Sequence, residues 1–165
     1  MSRVGPPTTP KNDETEIVPF AIQCLTSGEV VAGVKEAVRR RHRLDIAICN
    51  AHTLLTALDD PDYADALKDM TLLNDGIGMG LASRFLNKKR FPENLNGTDL
   101  VPRILADIET PLRLFLLGAK EEQVVGAKAH IEATFPQHVV AGYRNGYFGE
   151  AEIAGICADI DAADA

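Results

Sequence analysis

Short apolar runs alternate along this chain with longer stretches in which apolar residues recur at helical spacing. The runs Ile17–Leu25, Asp45–Cys49, Met70–Leu73, Leu112–Leu117 and Val139–Ala141 read as strands, the first shortened by Pro19. After Ser27, a residue type that caps helices, Val30, Val31, Val34, Ala37 and Val38 repeat as one helical face. Further helices are expected over Ala51–Leu58, from Pro61 to Leu67, from the glycine-rich turn Gly76–Gly80 to Phe85, over Val101–Ile108, across Val124–Phe135 up to Pro136, and from Ile153 to Ile160. Met1–Glu16, polar and carrying Pro6, Pro7 and Pro10, reads as a disordered tail before a single domain over residues 17–165. No internal repeat or low-complexity segment interrupts this order.

Strands separated by helices imply parallel pairing through crossovers, so the fold class is α/β: Rossmann-like, a mostly parallel sheet with helices on both faces. Ligands of such sheets sit beyond the carboxyl ends of the strands. Three predicted strand ends carry informative residues there: Asn50, Asp75 and Gly118.

Composition narrows the classes. With 45% hydrophobic residues, 13 glycines, 5% aromatics and no tryptophan, the core is aliphatic. A formal net charge of −7 argues against nucleic acid as a partner and against attraction to an anionic membrane surface. Cys24, Cys49 and Cys157 are odd in number and form no CxxC pair, which suits free thiols in a reducing cytosol. No apolar run is long enough to span a bilayer, and the first residues lack the apolar region of a secretory signal.

Several segments carry candidate chemistry, and each has an ordinary structural reading beside the functional one. In Leu72-Leu73-Asn74-Asp75-Gly76-Ile77-Gly78 a strand delivers a carboxylate to glycines that let a ligand approach the backbone. Asp75 there is either a general base for a hydroxyl or a plain N-cap. Asn50 can bind a phosphate or a sugar hydroxyl, though an asparagine at that place is more often a cap, and His52 beside it reads as a surface or packed residue. In Asn94-Leu95-Asn96-Gly97-Thr98-Asp99, capping by Thr98 or Asp99 accounts for Pro102 in a first turn but leaves the two asparagines and Gly97 unexplained. Gly118 and the helix start after it can cradle a diphosphate, with Lys120 adding charge, or form an ordinary strand-to-helix turn. The cations from Arg39 to Arg43 read as a solvated helix end rather than a phosphate site. Asp60-Pro61-Asp62 has the letters of a DxD metal motif but follows a helix, so a turn and cap is the better reading and no metal ligand is assigned. The glycines at 76, 78 and 80 miss the G-x-G-x-x-G spacing, which disfavours a nicotinamide-dependent oxidoreductase.

Taken in series, Asn74-Asp75-Gly76-Ile77-Gly78, Asn96-Gly97-Thr98-Asp99-Leu100, Leu116-Leu117-Gly118 and Gly146-Tyr147-Phe148 resemble the WecG/TagA/CpsF glycosyltransferases in letters, order and spacing. The resemblance covers about Ile17 to Ala165. It implies an inverting transfer of a hexose or N-acetylhexosamine from a UDP-sugar to a polyprenyl-diphosphate-linked saccharide in bacterial polysaccharide synthesis. No cofactor or DxD metal is implied; a cytoplasmic place at the inner face of the plasma membrane, and self-association, are compatible with it. The family's base maps onto Asp75 and its strand-end asparagine onto Asn50, with Gly76, Gly78, Asn94, Gly97, Gly118 and Lys120 around the substrates. Two positions depart: Ile48 stands where many members have threonine, and Asn94 where many have arginine, so that Lys88, Lys89 or Arg90 would have to supply the missing cation. The Asn94–Asp99 form is closer to the branch that transfers glucose in building exopolysaccharides such as xanthan.

In the family, a segment like Ile153–Ala165 runs on into another apolar strand, a glycine-containing ligand loop and a basic tail that meets the membrane. The expectation is therefore a truncated domain whose sheet is incomplete at the C-terminus. The alternative function is a non-catalytic remnant that binds nucleotide or a partner subunit.

Overall fold

The structure, a computed structural model, describes residues 14–17 and 19–165. The described residues up to Ile104 and those from Leu105 onward form two compact units. The strands fall into two sheets, one in each unit. Most of the expected tail lies outside the described residues, but Glu14–Glu16 do not belong to a tail, because they pair as a strand.

In the first unit, β1 (Glu14–Ile17) and β2 (Phe20–Gln23) form an antiparallel hairpin with Ile17 opposite Phe20. The single run expected across Pro19 is thus folded back on itself. Next come α1 (Ser27–Arg40), β3 (Ile46–Cys49), α2 (Ala51–Asp59), α3 (Pro61–Lys68), β4 (Thr71–Asn74) and α4 (Gly76–Asn87). The sheet order is β1-β2-β4-β3, and β2, β4 and β3 are parallel. The helix α5 (Gly97–Asp107) follows.

The period of two along a strand divides the core. Leu72 of β4 packs with Phe20, Ile22, Leu54, Ala57, Leu67 and Met79, so α2, α3 and α4 cover one face. Leu73 packs with Val30, Leu95 and Leu100, so α1 and α5 cover the other. Helices on both faces of a mostly parallel sheet is the arrangement that the strand–helix alternation predicted.

Three local expectations are corrected. The cap of α1 is Thr26, not Ser27: Thr26 and Glu29 bond each other's backbone N–H groups in a capping box. The glycines from Gly76 to Gly80 form no turn but the first turns of α4, with Gly76 at φ +85°. For α5, neither Thr98 nor Asp99 caps; Asn96 accepts the Asp99 N–H at 3.0 Å, and Pro102 lies inside the helix.

In the second unit, β5 (Arg113–Leu117) and β6 (Val139–Arg144) are parallel and joined through α6 (Glu121–Thr134), with α7 (Ile153–Ala163) packed on β6 and β5. A register shift falls between Leu114 and Phe115. Gly142 faces the Phe115 ring so closely that a Cβ there would sit 2.6 Å from it. His138 is buried, with Nδ1 accepting the Leu112 N–H at 3.2 Å and Nε2 meeting the Leu105 carbonyl at 2.8 Å. Among the described residues no helix is long and apolar enough to cross a membrane.

Candidate active site

The parallel strands of the first unit all end on one side, and four helices start there. Helix α1 follows β2, α2 follows β3 and α4 follows β4. A loop from Arg90 to Asn96 crosses the end of β4, held by the Leu95 N–H on the Asn74 carbonyl at 3.0 Å, and feeds α5. Each helix start contributes partial positive charge and N–H groups without helical partners. Such an end is suited to an anion.

Register brings the two leading candidates together. Cys49 pairs with Asn74, and the Asp75 N–H bonds the Cys49 carbonyl at 2.9 Å, so Asn50 and Asp75 emerge side by side. Gly78 keeps the helices after them close; a Cβ there would stand 3.2 Å from that of Ala51. Gly97 brings α5 onto β3, where a Cβ would lie 3.4 Å from the Ile48 side chain. Gly78 and Gly97 thus permit this close approach.

The two strand-end side chains differ in what they do. Asn50 is a cap: its Oδ1 accepts the Thr53 N–H at 2.9 Å and the Thr53 hydroxyl at 3.2 Å. Its Nδ2 makes no hydrogen bond among the described residues, so Asn50 can cap α2 and still donate to a ligand. Asp75 stands at the N-cap position of α4 but makes no capping bond with its side chain. The cap comes from elsewhere, since Asn94 Oδ1 accepts the Gly76 N–H at 2.6 Å. Asn94 thus acts as a capping residue eighteen positions away in sequence, and the half-buried Asp75 carboxylate is left uncommitted.

Next to Asp75, Asn74 is buried. Its Nδ2 donates to the Glu93 carbonyl at 2.9 Å, while its Oδ1 has no hydrogen-bond partner among the described residues. A buried carbonyl oxygen without a donor costs about 1–3 kcal/mol. Asn74 and Gly76 form part of the wall of a cavity of about 410 Å³ between α4 and the loop from Arg90 to Asn94. That volume is in the range of small-ligand sites.

Of the three cations considered as replacements for an arginine at position 94, Arg90 lines this cavity together with Asn94. Lys89 is spent on the Glu14 carbonyl at 3.0 Å, and Lys88 ends α4 in a left-handed conformation. Arg84, which sequence reasoning did not single out, lines the same cavity. Its signal was a place on the α4 face that carries Ile77 and Leu81, hidden while the glycines were read as a turn.

The loop is anchored at its acidic residue. Glu93 Oε2 accepts the Ser27 N–H at 2.9 Å and the Ser27 hydroxyl, and Arg103 donates to that hydroxyl. These bonds, with the nearby Arg103 charge, hold the Glu93 carboxyl below its ordinary range. Beneath the site, burial pushes the Cys49 thiol up to about 11, so it is no nucleophile at neutral pH.

Gly118 and Lys120 belong to the second unit. Gly118 and Ala119 both have positive φ, and Gly146 packs so closely that a Cβ on it would be 3.0 Å from the Gly118 Cα. The first turn of α6 holds Glu121 and Glu122, and Gln123 accepts the Lys120 N–H at 3.0 Å. Carboxylates therefore already complement the dipole at this helix start. Asp60 caps α3 by accepting the Tyr63 N–H at 3.1 Å, in keeping with the turn-and-cap reading of Asp60-Pro61-Asp62.

The chain is similar to known proteins over much of its length. A family model described as the glycosyl transferase WecG/TagA/CpsF family matches residues 15–165. A Bacillus subtilis (strain 168) protein named N-acetylglucosaminyldiphosphoundecaprenol N-acetyl-beta-D-mannosaminyltransferase is 33% identical over 104 residues. That match spans 62% of this chain and 40% of the length of the relative.

Proposed function

The chain belongs to the WecG/TagA/CpsF glycosyltransferase family, and from that premise we propose that it transfers a hexose or N-acetylhexosamine from a UDP-sugar to a polyprenyl-diphosphate-linked saccharide. The observation that carries this reading is the uncommitted Asp75 carboxylate at the end of β4, with its capping role filled by Asn94. The acceptor hydroxyl attacks the anomeric carbon from the side opposite the leaving group. As the new C–O bond forms, Asp75 takes the hydroxyl proton and the bond to the UDP oxygen breaks, inverting the anomeric centre. The starts of α1, α2, α4 and α5 face the departing diphosphate with their N–H groups and positive dipole ends. Asn50 Nδ2 is positioned to donate to the donor sugar or its phosphate. Gly76, with open space around it, keeps the ligand side of α4 free of bulk, and Gly78 lets α4 lie close to α2 beside the site.

The Bacillus relative is named for transfer onto N-acetylglucosaminyl-diphosphoundecaprenol; an acceptor of that chemistry, an aminosugar on a lipid diphosphate, is proposed here. Calorimetry on the 165-residue chain tests the donor. UDP binds wild type and Asp75→Asn with similar affinity, and NAD binds neither. Turnover with a UDP-sugar and a lipid-diphosphate sugar falls about 10²- to 10⁴-fold in Asp75→Asn, the usual contribution of a general base. Binding of NAD without UDP, or full turnover in Asp75→Asn, overturns the proposal.

A further inference from the structure

The cavity between α4 and the Arg90–Asn94 loop has a lining that the transfer chemistry above leaves unused. Arg84 and Arg90 reach it, and neither has an ion-pair partner among the described residues. The carboxylate on its rim, Glu93, is turned to Ser27. In a chain of net charge −7, the cavity therefore keeps two cations uncompensated. Its other walls are apolar, formed by Ile77, Leu81 and Phe91.

The apolar lining does not end at the cavity. Ile77, Leu81 and Phe85 are spaced by four along α4 and form one stripe, and they are 84%, 50% and 85% exposed. The stripe runs about 12 Å. Contiguous apolar surface of this kind marks a binding face rather than ordinary exposure.

We propose that this cavity and stripe form the acceptor's subsite, with Arg84 and Arg90 holding the diphosphate and Ile77, Leu81 and Phe85 carrying the isoprenoid chain. The proposal rests on the transferase reading above. A nucleotide sugar has a diphosphate but no apolar tail, so charge and apolarity together select a lipid diphosphate over the donor. Arginine is the residue type suited to the head group, since its planar fork meets phosphate oxygens in pairs. The cavity wall includes Asn74 and Gly76, the residues on either side of Asp75, so an acceptor held here presents its sugar to the base.

The test uses the 165-residue chain with N-acetylglucosaminyl-diphosphofarnesol, kept below its micelle concentration, and UDP as a separate arm. Wild type binds the farnesyl probe. Arg84→Ala/Arg90→Ala weakens that binding at least tenfold and Ile77→Ser/Phe85→Ser at least fivefold. Both pairs are solvent-exposed, circular dichroism checks the fold, and UDP affinity stays within twofold. Inorganic diphosphate competes with the probe in wild type but not in the arginine pair. No probe binding by wild type, or probe affinity unchanged in either pair, overturns the proposal. A parallel loss of UDP affinity assigns the cavity to the donor and overturns it too. So does light scattering that shows a stable oligomer which Ile77→Ser/Phe85→Ser dissolves. Probe binding without UDP binding upholds the acceptor subsite while sinking the donor reading.

Discussion

Asn94 and Asp75 separate two roles that usually coincide in one strand-end residue, and stability measurements can tell them apart. Asn94 Oδ1 accepts the Gly76 N–H at 2.6 Å, whereas Asp75 accepts nothing from the helix it precedes. Replacing a capping side chain by alanine costs about 1 kcal/mol. Asn94 is exposed, so no large packing loss adds to this. Asn94→Ala is therefore expected to lose about 1 kcal/mol, or roughly 3 °C of melting temperature for a chain of this size. Asp75→Ala removes a side chain with no capping bond and is expected to change stability by less than about 0.5 kcal/mol. Asn50→Ala is the positive control, since Asn50 Oδ1 holds two donors of Thr53. Urea titrations followed by circular dichroism give the three midpoints, and unchanged slopes license the comparison. The double variant Asp75→Ala/Asn94→Ala should match Asn94→Ala alone, because the two side chains share no bond. If Asp75→Ala is as damaging as Asn94→Ala, the carboxylate is a cap after all and the argument for a base fails.

Two further outcomes follow from the same region. Gly76 has φ +85°, where a side chain is strained even though open space surrounds the position; Gly76→Ala should cost about 1–2 kcal/mol, read from the shift in its urea midpoint. Hydrogen bonds from Ser27 and the Arg103 charge hold the folded Glu93 carboxyl below its ordinary value of 4.5. A depressed carboxylate contributes stability that is complete above the unfolded value and lost as pH falls through the folded one. The wild-type urea midpoint should thus fall on acidification below about pH 4.5. Glu93→Gln should lack that part of the slope, and parallel curves for the two proteins would refute the assignment.

The architecture of the first unit was legible because its signals are local. Leu72 and Leu73 point to opposite faces by strand geometry alone, and the helical spacing of Val30, Val31 and Val34 marks the face that packs on one of them. Asp75 at a strand end was legible for the same reason. What escaped depended on partners distant in sequence or on competition between adjacent candidates. Asn94 caps a helix that begins eighteen residues earlier, and no local pattern announces that. Thr26 and Ser27 are both capping residues; Glu29 three positions after Thr26 decides between them through the reciprocal bond. Asn96 displaced Thr98 and Asp99 in the same way, which accounts for an asparagine that capping by Asp99 left unexplained. The glycines after Asp75 suggested a turn because glycine weakens helices, yet Met79 and Ser83 bury one face of α4 deeply enough to override propensity. The separation of the strands into two sheets was hidden because strand–helix alternation does not reveal where one sheet stops and another begins.

The transfer of the cap from Asp75 to Asn94 has a chemical consequence. Carboxylates that accept hydrogen bonds from N–H or O–H donors are stabilised in the charged form, and this chain provides two examples. Thr26 holds Glu29 below the ordinary range, and Ser27 does the same to Glu93. Those residues are good anchors for that reason, and a carboxylate so engaged is a poorer proton acceptor. A neutral amide on the Gly76 N–H satisfies the donor without engaging the strand-end carboxylate. It also adds no charge of its own to the positive end of α4, which stays available to an incoming anion. The departure from arginine at position 94 is then not simply a lost cation. Arginine has no acceptor and cannot cap Gly76. Substituting Asn94→Arg should therefore destabilise α4 by about the same 1 kcal/mol as alanine while adding charge beside the cavity. If that variant instead gains stability, the amide's role as a cap is wrong, and the division of labour between Asn94 and Asp75 falls with it.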